Sequence, residues 1–150
     1  MKRLKEEKTE AEVSDAEDYL RASLRAIERL LQRPKYANPD WETEEQGIRD
    51  CLGWTRGSLM MALDLKEYDR KEPEKKGTTA EEYLRASVQA IDIIMQKPEY
   101  ANAKLGTEEH GFRKCLGWMR AIFKIALELI EAEKEEKEKE TEKEEVREDE

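Results

Sequence analysis

Apolar residues recur at helical spacing in two kinds of stretch, and each kind occurs twice. From Asp15 to about Arg33, the residues Ala16, Leu20, Ser23, Ile27 and Leu30 or Leu31 fall on one face, with Tyr19 and Leu24 beside them. Steps of three and four residues predict an amphipathic helix with one buried stripe. Pro34 ends it, because proline disfavours helical backbone in the residue before it. From Thr43 to about Tyr68 the apolar face is wider. One row holds Ile48, Cys51, Leu52, Thr55, Leu59 and Ala62, and the next holds Gly47, Trp54, Met61 and Leu65. A stripe that broad predicts contact with more than one neighbour, so this second helix should be inner and the first outer.

The same pair returns later in the chain. The run Gly47-Ile48-Arg49-Asp50-Cys51-Leu52-Gly53-Trp54-Thr55-Arg56 is matched without a gap by Gly111-Phe112-Arg113-Lys114-Cys115-Leu116-Gly117-Trp118-Met119-Arg120. The match extends over Ser14 to Leu65 and Thr78 to Leu129, so the sequence reads as an internal duplication. One hairpin of this size buries too little surface to stand alone. Two can close their wide faces on each other about a pseudo-two-fold axis. The expected fold is therefore all-α, a four-helix bundle resembling a homodimer fused into one chain. Cys51 with Cys115, and Trp54 with Trp118, should be symmetry mates near that axis. Gly53 and Gly117 lie mid-helix, where glycine costs about 1 kcal/mol against alanine. Their expected use is to let a neighbouring backbone or Trp come close.

Local signals set the boundaries. Ser14 with Glu17, and Thr78 with Glu81, have capping-box spacing, as does Thr43 with Gln46. In the other copy of the inner helix Thr107 caps and His110 takes the third position. Glu44, Glu45, Glu108 and Glu109 favour the positive end of the helix dipole. The connectors Pro34–Trp41 and Pro98–Leu105 carry Tyr36 and Tyr100, expected to pack down on the helix ends. The organisation predicted is a charged arm at 1–13, a first hairpin at 14–68, a polar linker at 69–77, a second hairpin at 78–130 and a Glu/Lys-rich tail at 131–150. Tail pairs such as Glu133 with Lys137 and Glu135 with Lys139 have helix-supporting spacing, so the tail extends the last helix into solvent.

Composition narrows the function classes. The formal net charge is -9, and most of it lies after Leu127. The body is close to neutral, so bulk charge gives no reason to expect nucleic-acid binding. Two Cys are too few for a disulfide framework, and one His makes a zinc site unfavourable. The first residues lack the apolar core of a secretory signal, and no apolar run is long enough to span a membrane. A cytoplasmic protein is expected. Abundant Lys, Arg and Glu beside few Asn and Gln fits a thermophilic source.

Candidate chemistry is sparse. There is no Glu-x-x-His pair for a di-iron bundle and no phosphate-cradling glycine loop. The repeat period and the Trp and Gly positions also do not fit tetratricopeptide repeats. Cys51 and Cys115 read as small apolar residues in a tight helix contact, with a redox pair or disulfide as the alternative. Trp54 and Trp118 read as core, and His110 as a capping or surface residue. Arg49, Arg56, Arg113 and Arg120 read as ion-pair partners for carboxylates such as Glu45 or Glu109, with anion binding as the alternative. No catalytic residue, cofactor or metal is expected.

The two outer helices differ in character. Arg21, Arg25, Arg29 and Arg33 recur every four residues on the first, whereas the second has Arg85, Gln89, Ile93 and Lys97. A shared interior with divergent exteriors predicts a non-enzymatic interaction or assembly protein. Its partner-binding residues would be Arg21, Arg25, Arg29, Arg33 and Ile93, and its inter-repeat core Cys51, Gly53, Trp54, Cys115, Gly117 and Trp118. A protein partner is expected. The alternative is a nucleic-acid-associated subunit gripping phosphates with the arginine row. A homo-oligomer is compatible with either, and a membrane partner with neither.

Overall fold

The computed structural model describes residues 14–74 and 77–148. The charged arm expected at 1–13 lies outside the described residues. The chain is all-α: α1 (Asp15–Gln32), α2 (Pro34–Ala37), α3 (Glu44–Lys71), α4 (Ala80–Gln96), α5 (Pro98–Ala101) and α6 (Glu108–Glu148). Among the described residues the only β pairing is an isolated antiparallel bridge between Thr43 and Thr107.

Caps explain most boundaries. Ser14 accepts from the Glu17 N–H, Thr43 from that of Gln46, and Thr107 from that of His110. Two details differ from the sequence expectation. Thr79, not Thr78, caps α4 and accepts from the Glu82 N–H. The Gln46 side chain turns to the Glu42 N–H at 2.8 Å rather than to its own cap. The breaker-rich connectors each hold one helical turn, α2 and α5, opened by Pro34 and Pro98. Proline suits the first helical position because its missing N–H has no partner to lose there. Tyr36 is buried, and Tyr100 packs on Phe112 with ring centres 5.3 Å apart.

The core holds matching residues from both halves. Leu20 and Ile27 of α1 correspond to Leu84 and Ile91 of α4, and Leu52 and Leu59 of α3 to Leu116 and Phe123 of α6; all eight are buried. Each such side chain contributes roughly 1.5–3 kcal/mol on leaving water. The largest helix contact is α3 against α6, with α1 and α4 each touching both of them and not each other.

Direction follows from contacts at the two ends. Near their starts, Gly47 lies against the Glu108 carbonyl and Gly111 against that of Glu44. Near its far end α3 meets α6 through Lys66 and Glu133 at 3.2 Å. α3 and α6 therefore run parallel. The outer helices run against them: Arg70 reaches Glu17 at 3.7 Å, and Lys134 bonds Glu81.

The offset that relates the two sequences also relates these contacts. Glu133 of α6 accepts from the Ala16 N–H of α1, and Asp69 of α3 accepts from the Ala80 N–H of α4, both at 2.9 Å. Each outer helix thus has its N-terminal donor satisfied by a carboxylate from the other half of the chain. Beyond these contacts α6 continues to Glu148, exposed from Lys134 through Arg147. Glu133 turns to the body, so its expected partnership with Lys137 is replaced by Lys66 and Ala16.

Candidate interaction surfaces

The basic row lies open on α1. Arg21 is drawn to the buried Glu17, 3.5 Å away. Arg25, Arg29 and Arg33 are exposed, and none has an ion pair among the described residues. On α4 the matching first position, Arg85, is held between Glu81 and Glu131 at 2.9 Å each. Gln89 and Lys97 follow on the exposed face, and Ile93 is 63% exposed. Arg21 and Arg85 therefore do the same structural work, and the difference between the outer helices begins one turn later.

The inter-repeat contact contains some of the residues expected there. Cys51 and Cys115 are free and buried. The Cys115 thiol is pushed up, first by the neighbouring Cys51 thiol and then by burial. Thr55 donates to the Cys51 carbonyl at 2.8 Å and lies 3.9 Å from its sulfur. Thiolate is the nucleophilic form, so a raised Cys115 is a poor nucleophile.

Gly53, Gly117 and Trp118 are placed differently from the expectation. A Cβ at Gly53 or Gly117 would meet nothing within 4 Å, and Trp118 is 41% exposed. Trp54 is half-buried and stacks on Phe112 at 6.4 Å and 7°, so it crosses between the halves without pairing with Trp118. The reason is helix geometry. Successive residues turn about 100°, so burying Cys-Leu turns the following Gly-Trp outward. The close approach belongs to Gly47 and Gly111. A Cβ there would lie 1.9 Å from the Glu108 oxygen and 2.0 Å from the Glu44 oxygen.

Around the start of α6 the two halves differ again. His110 Nδ1 is buried without a hydrogen bond among the described residues, 3.6 Å from Glu44, which also faces Lys114 at 3.7 Å. The corresponding Glu108 faces Asp50, and its carboxyl is pushed up, first by burial and then by that like charge. Of the four flanking arginines, only Arg120 has an ion pair among the described residues, with Asp92 at 2.5 Å. Among the described residues the pairing expected for Arg49 or Arg56 with Glu45 or Glu109 does not form, and the neighbouring Glu44 faces His110 and Lys114.

A cleft of about 300 Å³ lies between the linker and α6. Its charged walls include Lys66, Asp69, Glu81, Glu133 and Lys134, which are already bonded to one another or to backbone. Among the described residues no group of His, Cys, Asp and Glu could hold a metal ion, and no helix is long and apolar enough to cross a membrane.

Two surface residues carried no weight in the sequence reading. Trp41 and Leu105 are both 85% exposed and occupy corresponding positions in the two connectors. The signal was present in the aligned repeats: two bulky apolar residues at one position of a polar loop. Comparisons with protein-family models, curated proteins and solved structures find no match for this chain.

Proposed function

We propose that the chain is a non-enzymatic interaction or assembly protein of the cytoplasm, a duplicated hairpin closed as a pseudo-symmetric four-helix bundle that presents different outer faces to a protein partner. The observation that carries this reading is the basic row of Arg25 and Arg29 on α1 with Arg33 at its C-cap, all exposed and without ion pairs among the described residues. Arg25 and Arg29, one helical turn apart, present forked donors suited to carboxylates on a facing helix. The duplication is supported by the offset-related contacts, above all the exchanged bonds Glu133 to Ala16 and Asp69 to Ala80. The raised Cys115 thiol argues against nucleophilic chemistry at the inter-repeat contact.

The test is capture of partners from the native source by wild type and by Arg25→Glu/Arg29→Glu. Loss of a specific protein with an unchanged melting temperature supports the reading. Undiminished capture removes the arginine row from it. Retention of nonspecific nucleic acid, with affinity falling steeply as salt rises, replaces it with the phosphate-binding alternative.

A further inference from the structure

We propose that the end of the molecule bearing Trp41 and Leu105 docks onto the same end of a second copy of this chain. The contact uses neither the arginine row nor Ile93. The two residues sit on the connectors entering α3 and α6, which are joined by the Thr43–Thr107 bridge. Each is 85% exposed, and each is held there by an ordered loop.

In the first loop Thr43 Oγ1 donates to the Asp40 carbonyl at 2.7 Å and the Glu42 N–H donates to Gln46 at 2.8 Å. In the second, Thr107 Oγ1 donates to the Lys104 carbonyl at 2.6 Å. Both loops need left-handed backbone at the residue after the exposed side chain. Gly106 supplies it at φ 84°, whereas Glu42 adopts it at φ 61°. A non-glycine residue there costs roughly 1–2 kcal/mol. The first half of the chain keeps this conformation without glycine, and in doing so keeps Trp41 in water.

The charges beside these residues select the occupant. Asp40 precedes Trp41, and Lys104 precedes Leu105. Both are exposed, and neither side chain has an ion pair among the described residues. A two-fold axis perpendicular to the line joining the loops sets Trp41 of one copy against Leu105 of the next, and Asp40 against Lys104. The same operation makes both contacts twice, which is the self-complementarity of an isologous interface. The apolar area is small beside that of a standard stable interface. Glu42, Glu45 and Glu109 are exposed nearby and repel across the junction. The dimer is accordingly a weak, concentration-dependent one.

Sedimentation equilibrium of the full chain, from roughly micromolar to millimolar concentration, tests this. Wild type should dimerise. Trp41→Ser and Leu105→Ser should each weaken the dimer by at least about tenfold, with the helical circular dichroism unchanged because both side chains are exposed. Asp40→Lys should weaken it by placing like charges together, and Asp40→Lys/Lys104→Asp should restore it to within about threefold of wild type. A chain that stays monomeric throughout overturns the proposal and leaves this end to a foreign partner. A dimer indifferent to Trp41→Ser, or one that the double exchange fails to restore, also overturns it.

Discussion

A methyl group added at Gly47 would lie 1.9 Å from the Glu108 carbonyl oxygen, and one at Gly111 would lie 2.0 Å from that of Glu44. Backbone cannot yield as a flexible side chain can, so Gly47→Ala or Gly111→Ala must part α3 from α6. Overpacking of this kind costs about 1–3 kcal/mol. Gly53→Ala should do the opposite, gaining about 0.5–1 kcal/mol, because its Cβ meets nothing and alanine loses less entropy in a helix. Urea unfolding of the three variants checks both signs.

Glu81 offers a second test at this scale. Its carboxyl is held below the ordinary value of 4.5, first by the hydrogen bond from Lys134. A depressed folded-state value means the stabilisation is present above the unfolded value and lost as pH falls through the folded one. Glu81→Gln should therefore lower the melting temperature at neutral pH. The gap to wild type should close as pH is taken below about 4.5. A gap that persists at the acid end would contradict this ionic role.

Each outer helix begins on a carboxylate supplied from the other half. Asp69→Ala should cost about 1 kcal/mol, as loss of an N-terminal cap commonly does, and Glu133→Ala about the same at α1. Hydrogen exchange should show the loss first at the starts of α4 and α1 respectively. Exchange that quickens equally everywhere would count against a local capping role.

How far this level could be read from sequence depends on the range of the interaction. Pro34, Ser14, Thr43 and Thr107 act within a few residues, so the ends of α1, α3 and α6 were legible. Asp69 and Glu133 act between chain segments far apart in sequence, and a linker aspartate carries no local sign of its target. Thr78 with Glu81 and Thr79 with Glu82 have the same capping-box spacing, so local spacing cannot choose between them, and only register with Ser14 points to Thr78.

For the whole molecule, the repeat made the all-α class and the meeting of the Trp-bearing helices readable. Repeated residues were not always contact residues. Gly53, Gly117 and Trp118 recur because both halves share a helix, yet they turn outward, while the less conspicuous Gly47 and Gly111 hold the halves together. The wide apolar stripe predicts contact with more than one neighbour, yet its edge at Met61 remains exposed. Two parallel central helices flanked on opposite sides leave each with one open face. Of the surface residues only the spacing of the arginines was legible, because the exposure of Trp41 and Leu105 is decided by loop backbone at Glu42 and Gly106.

Both outer helices and both exposed loops are placed by α3 and α6 lying side by side and parallel. Electron spin-label distances in the full chain, with Cys51→Ala and Cys115→Ala removing the native thiols, test this most directly. A label pair at Met60 and Lys124 should be closer than a pair at Arg49 and Lys124, since the second adds an axial offset of about 16 Å. A shorter Arg49–Lys124 distance, or two distances too long for touching helices, would contradict the arrangement from which every surface assignment follows.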